Sequence, residues 1–441
     1  MTKIALLLAL TCTVAPAQTS LDAIAKAMGA ADLKSIEYAG AGATFNLGQN
    51  VSPDAPWPRV EAKSYRRAID YATPAAREEI ERAQGRTVQL VSGNTAWNIT
   101  GADPAPAPAA VAERLTQIWL TPHGFVKAAM ANSATVKGQT VSFVAQGRYR
   151  VTGVITKDNL VETVRASIPN PVLGDMPVEA TYSDYKDFNG VKFPARIVQK
   201  AGGFPTLELA ITEVRPNAAV GIDAPASVRD AKPPAVRVET QKLADGVWYL
   251  TGGSHHSVLI EFKNHAALIE GPLNEERSQA VLAEAKKLSP AKPIRYLINT
   301  HHHFDHSGGL RTYVSRRVRI VTHQRNAPFY KKAFRGGSYL TLTGKRVLTD
   351  GLRTVELHHI QGSPHHEAIL MAYLPAEKML VEVDVYTPAP PNAPPPATPN
   401  PASVNLYENI QRLKLDVGQI VPLHGRIVPL AELEKAIGKA R

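Results

Sequence analysis

The stretch Asn299-Thr-His-His-His-Phe-Asp-His-Ser-Gly-Gly309 places four of the chain's fourteen histidines and one aspartate within positions 301–306. A cation of the zinc type needs several neutral imidazole or carboxylate donors converging at about 2.0–2.2 Å. Ile294-Arg-Tyr-Leu-Ile-Asn299 reads as a buried strand leading into the cluster. Where such a strand ends in a tight loop, His301 and His303 project to one side. Asp305 and His306, at the start of a following helix, approach from the other. The spacing His-x-His-x-Asp-His therefore supplies two ligand pairs to two adjacent sites, and Ser307-Gly308-Gly309 lets the next helix pack closely against the loop.

Around this motif the chain alternates strands and helices. Val236–Lys242 and Val247–Thr251 flank an Ala-Asp-Gly turn, Ser257–Phe262 and Ala266–Ile269 form an apolar hairpin, and Asn274 to Leu288 reads as an amphipathic helix. Alternation of this kind indicates an α/β layer structure. The proline-dense Thr387–Pro401 suits neither helix nor central strand and is expected to be a surface loop.

From about Val236 to the end, the chain resembles the metallo-β-lactamase superfamily, whose defining motif is His-x-His-x-Asp-His after a β-strand. Further motifs follow in the family's order. Gly362-Ser-Pro-His365 looks like the family's Gly-x-x-His, Asp384 matches its metal-bridging aspartate, and Val421-Pro-Leu-His424-Gly425 resembles its final Val-Pro-Gly-His-Gly. Carried over residue by residue, the resemblance implies a first metal site of His301, His303 and His365, a second of Asp305, His306 and His424, and Asp384 between them. It also implies an αββα sandwich holding two zinc ions, with manganese or iron as alternatives. A water shared by the two cations, its pKa lowered towards about 7, would attack an electrophilic centre. Asp305 would orient that nucleophile as well as serve as a ligand. Three departures alter the pocket walls without removing a donor: Leu423 and Val383 stand where glycines are usual, and His366-Glu367 follow the third ligand.

The remaining histidines divide by position. His302 lies between ligands and is expected to point away. His366 competes with His365, and the Gly-x-x-His spacing selects His365. His255 and His256, in Gly252-Gly-Ser-His-His-Ser257, sit where a hairpin can overhang the site and touch substrate; a solvated loop is the plainer reading. Tyr386, two residues past Asp384, is a candidate donor to an oxyanion.

The N-terminal half has a different rhythm. Ser35–Phe45, Val88–Ile99, Thr140–Ile155 and Leu160–Ile168 alternate apolar and polar residues as half-buried antiparallel strands do, and Tyr182–Pro194 is a hairpin around Asn189-Gly190. One helix is expected from Val111 to Met130. The hairpin resembles those in curved sheets of periplasmic lipoprotein-carrier type domains, which implies either a lipid-binding groove or a structural platform. Arg215–Pro234, rich in Pro, Ala and Asn, suits a linker. The expected organisation is a signal peptide at 1–17, a β-rich domain at 18–214, a linker at 215–235 and a catalytic domain at 236–441.

Composition agrees with a globular chain: 44% hydrophobic and 20% charged residues leave ample material for buried cores. Met1–Gln18 has a basic start, an apolar run and Ala15-Pro16-Ala17, the features of a secretory leader, and its apolar run is shorter than the roughly 20 residues of a bilayer span. The sole cysteine, Cys12, lies in that leader, so a processed chain has no thiolate ligand and no disulfide. These features point to a bacterial periplasmic or secreted protein. The net charge of +11 is scattered over the chain, which together with export argues against nucleic acid as a partner and leaves a small-molecule substrate. The resemblance implies hydrolysis of an ester, thioester or lactone carbonyl. A β-lactam is a second candidate, disfavoured by Asp384, since the zinc β-lactamases generally lack this bridging carboxylate. A ligand carrier with an inert metal site is a third.

Overall fold

The computed structural model describes residues 19–101, 103–232 and 235–439. The leader and Cys12 lie outside the described residues. Among the described residues, no helix is long and apolar enough to cross a membrane.

Residues 35–216 form one antiparallel sheet of 13 strands. Its middle is the pair Ser35–Phe45 and Phe204–Pro216, joined in register from Ile36 opposite Pro216 to Thr44 opposite Leu207. A meander runs outward from each member of this pair, so every other neighbour is a sequence-adjacent hairpin. The stretches 88–99 and 140–155 are such hairpins rather than single strands, turning at Gly93 and at Gly147. Tyr182–Pro194 turns where expected, with Asn189 and Gly190 both at positive φ as a type I′ turn requires.

The single helix expected from Val111 to Met130 is two, Val111–Trp119 and Pro122–Ala131. Proline at 122 has no N–H to give a continuing helix but suits a first turn, and the Thr121 side chain caps that turn through the Gly124 N–H. Together with Leu21–Met28, these helices cover one face of the sheet over a core that includes Met28, Ile36, Tyr65, Phe125 and Phe193. The segment after 216 is not a free tether. Ile222 and Val228, the latter in a short helix Ala226–Arg229, are buried against Ala68, Val88 and Trp97.

The C-terminal domain has two sheets. Seven strands from Glu239–Ala244 to Tyr339–Leu342 lie in sequence order, antiparallel up to Ala266–Ile269 and parallel from there through Ile294–Ile298 and Arg319–His323. Six strands from Lys345–Thr349 to Val428–Pro429 form the second sheet, whose parallel pair is Met379–Glu382 with Gln419–Pro422. Val258, Ile260, Leu357, Met371 and Leu380 fill the space between the sheets. Helices containing Val281, Leu282, Leu310, Tyr313 and Tyr330 cover the first sheet, and Leu406, Ile410 and Leu433 come from helices on the second. The result is an αββα sandwich preceded by a mainly antiparallel β domain, the α/β class expected. Loops 299–303, 383–386 and 423–425 all follow the C-terminal ends of parallel strands, which is where open α/β sheets gather their ligands.

Candidate metal centre

The histidine loop is rigid before any cation is considered. Glu270, fully buried just past the strand Ala266–Ile269, accepts the Thr300 N–H at 2.7 Å and the Asn299 side-chain amide at 3.2 Å. Tyr330 donates to the carbonyl of His301 at 2.8 Å, and Ser307 Oγ bonds the carbonyls of His302 and His303. A loop held at so many points keeps its side chains in place.

Those side chains form two groups. His301, His303, His365 and Asp384 present donor atoms within 4.8 Å of one another, and so do His255, Asp305, His306 and His424. Asp384 joins the groups. Its Oδ2 lies 2.9 Å from His306 Nε2, 3.1 Å from His365 Nε2 and 3.3 Å from His301 Nε2, while Oδ1 lies 2.9 Å from His424 Nε2. Asp384 itself sits at φ +60, two residues past its strand. That turn swings the carboxylate off the sheet and into the gap.

The donor set fits divalent cations. His303 Nδ1 is buried without a hydrogen-bond partner, and His301 Nε2 and His365 Nε2, also buried, meet only the Asp384 carboxylate, an arrangement that leaves imidazole nitrogens turned to a common gap. His424 Nε2 and His306 Nε2 face each other at 3.3 Å, and two ring nitrogens at that distance cannot both carry protons. Burial, then the neighbouring His303, holds His301 well below the usual imidazole range. Burial, with His365 beside it, lowers His303 to about 4. Both rings are therefore neutral with a lone pair available, as metal ligation requires. Burial alone would lower His306, but Asp384 and Glu270 outweigh it and raise it. Burial pushes Asp384 upward and is likewise outweighed, by His306 first, so its carboxyl stays well below the normal range.

The other expected residues fall as follows. His302 points out of both groups: its Nδ1 faces His366 Nε2 at 2.5 Å and its Nε2 meets Asn50 Oδ1 at 2.8 Å. His366 accepts the Ala368 N–H, which leaves His365 as the donor of that pair. His255 Nε2 approaches Asp305 Oδ2 at 3.2 Å and stands among the second group's donors. His256 is buried and turned away, bonded to Tyr249 OH and the Gly253 carbonyl. Tyr386 is 5% exposed and lines a separate cleft of about 310 Å³ with the proline-dense 389–396 loop and Arg426. Sequence reasoning passed over Glu270, although a lone carboxylate ending an otherwise apolar strand was a usable signal. It also passed over Gln49 and Asn50, for which no local signal existed.

Two adjacent groups of histidine and carboxylate donors thus stand at the strand ends of an αββα sandwich, an arrangement suited to divalent cations. Residues 250–412, within the C-terminal domain, match the family model described as Metallo-beta-lactamase superfamily. Similar solved structures include a metallo-beta-lactamase from Pontibacter korlensis, 19% identical over 46% of this chain and 99% of its own, with a TM-score of 0.39. The metallo-beta-lactamase FIM-1 from Pseudomonas aeruginosa in its mono-zinc form is 17% identical over 48% of this chain and 97% of its own, with a TM-score of 0.39. One from Hirschia baltica is 20% identical over 46% and 98%, with a TM-score of 0.38. No curated protein matches the chain.

Proposed function

We propose that the protein is an exported, dinuclear metal-dependent hydrolase acting on an ester, thioester or lactone carbonyl. One observation carries this reading: two four-residue donor groups share a single carboxylate, Asp384, whose two oxygens reach both. A structural zinc site is closed around one cation and needs no second group.

His301, His303 and His365 would hold the first cation, and Asp305, His306 and His424 the second, with Asp384 between. His255 adds a further imidazole to the second group. When bound, two divalent cations lower the pKa of a shared water and polarise the carbonyl oxygen of a substrate. The chain's own contribution is positional. Burial keeps His301 and His303 neutral and in place. Asp305 is held with Oδ1 on Gln49 and Oδ2 facing His255 and His306, so its orientation is fixed. Asp305 and His365 are the most open of the expected donors, at 33% and 25% side-chain exposure, and mark the side from which substrate enters.

The test is metal analysis of the purified chain together with a panel of a thioester, a lactone, a cephalosporin and a phosphodiester. The expected result is about two transition-metal equivalents, with turnover of carbonyl esters that chelation abolishes and metal restores. One tightly held metal and no turnover across the panel would replace this reading with the carrier. Asp384→Asn should retain the first metal and weaken the second; unchanged occupancy of both would show that Asp384 is not the bridge.

A further inference from the structure

The metal loop is not supported by its own domain alone. The turn that follows strand Ser35–Phe45, in the N-terminal domain, lies directly against it. Gly48 O accepts the Phe304 N–H at 3.3 Å, and Gln49 Nε2 donates to Asp305 Oδ1 at 2.8 Å. The carbonyl of Asn50 lies 2.9 Å from His303 Nε2, its side-chain Oδ1 2.8 Å from His302 Nε2, and the carbonyl of Val51 accepts the Glu367 N–H at 2.8 Å. Four consecutive residues thus bond five partners more than 250 positions away, four of which flank or supply the expected metal donors.

The directions of these bonds follow from their ends. A main-chain carbonyl can only accept, so His303 carries its proton on Nε2 and turns an unprotonated, unpartnered Nδ1 to the first metal group. A similar chain runs through the adjoining rings. The Ala368 N–H donates to His366 Nδ1, so His366 donates from Nε2 to His302 Nδ1, and His302 donates from Nε2 to Asn50 Oδ1. The Asn50 amide nitrogen is spent on the carbonyls of Ser52 and Ala55, which leaves its oxygen as the acceptor. Every donor in the relay meets an acceptor, and its terminus belongs to the N-terminal domain. Partners of this kind fix which imidazole nitrogen faces a metal, and their loss typically weakens metal binding about 10- to 100-fold.

The fit of the turn is tight. Gly48 adopts φ +70, and a Cβ there would stand 2.2 Å from the Phe304 ring. Trp57 packs edge-on to the same ring at 6.3 Å, and Asn50 is 3% exposed.

We propose that Gly48, Gln49 and Asn50 are positioning residues of the metal centre, and that the N-terminal domain is a structural part of the active site rather than an appended platform. Gln49 sets Asp305 for the second metal, and Asn50 sets His303 for the first. This rests on the dinuclear reading above.

The experiment uses the full chain and reads metal retained against a graded chelator, together with the visible spectrum of the cobalt-loaded protein. Gln49→Met preserves side-chain volume but has no amide to donate, and Gln49→Ala removes both. Both variants should lose affinity for the second metal about 10-fold or more, keep the first, and show an altered cobalt spectrum, while the metal-free protein melts as the wild type does. Gly48→Ala, which displaces Phe304 between His303 and Asp305, should weaken both metals. Wild-type retention of both metals in Gln49→Met overturns the proposal, as does equal loss of both in that variant, because Asp305 belongs to the second group alone. If the wild-type chain itself holds fewer than two metals, the dinuclear reading fails, and the proposal fails with it.

Discussion

At the scale of single residues, the informative side chain is His255. Its position in a Gly-Gly-Ser-His-His-Ser turn suits a solvated loop or, less plainly, a substrate contact. The fold brings it closer to the chemistry, with Nε2 against Asp305 and its ring 4.2 Å from that of His424. Ser254 Oγ lies 2.8 Å from Nδ1, which steadies the ring. With His255, the second group has four donors of its own plus the Asp384 carboxylate, a number that suits six-coordinate manganese or iron at least as well as zinc. His255→Ala should therefore lower the affinity of the second metal about tenfold and leave the first in place. Equilibrium dialysis with two-site fitting measures this. Full metal content with only a raised KM would return His255 to the substrate.

At the scale of elements, helix Glu275–Leu288 shows how the sandwich braces the centre. Its N-cap Asn274 accepts the Arg277 N–H, Glu275 and Glu276 occupy the positive end of the dipole, and Lys286 and Lys287 the negative end. Immediately before it, the Leu273 N–H bonds the carbonyl of Asp305 at 2.7 Å, so the helix entry and the metal loop are tied together. Asn274→Ala should cost about 1 kcal/mol in denaturant unfolding, and Asn274→Asp should recover most of it. Equal losses in the two variants would mean that packing, not the cap, matters there. This helix was legible in the sequence because its signals are local: a capping residue, charge asymmetry and an apolar stripe. The same holds for Ser35–Phe45, for the hairpin at Asn189-Gly190, and for the seven residues expected as metal donors, which the sequence marks by short motifs and the fold brings together. Strand Arg59–Asp70 was missed. Its sequence Arg-Val-Glu-Ala-Lys-Ser-Tyr-Arg-Arg-Ala-Ile-Asp is dominated by charge, and its partners supply its apolar environment. The central pairing of Ser35–Phe45 with Phe204–Pro216 was equally hidden, because register between strands so far apart leaves no periodic mark on either. The turn at 46–52 is polar and aperiodic, and only the assembled fold shows what it touches.

At the scale of the whole molecule, the two domains form one unit around the metal loop. Phe304 packs against both cores, and Val172, from a turn of the large sheet, is buried in the outer core of the sandwich. Damage to the N-terminal core should therefore reach the centre, and that core contains an acid-sensitive point. His123 is fully buried, stacked 5.7 Å from Phe193, with Nε2 on the Met28 carbonyl at 3.0 Å and Nδ1 without a partner. Burial lowers it from 6.5 to about 4, opposed by the Met28 bond and assisted by Lys127. Between those two values the unfolded chain takes up a proton that the fold refuses. Stability from this group is present above pH 6.5 and falls as the pH drops towards 4, by about 1.4 kcal/mol per unit and about 3 kcal/mol in total. His123→Gln retains a donor for Met28 but cannot titrate, so its unfolding free energy should fall less than that of the wild type across this window. Three of the four tryptophans, Trp57, Trp97 and Trp119, lie in the N-terminal domain, so intrinsic fluorescence in denaturant reports the transition. Parallel pH dependences for the two proteins would remove His123 as the cause. Metal release in the wild type at the same pH as that transition, and at lower pH in His123→Gln, would show the N-terminal core acting on the centre through the turn at 46–52.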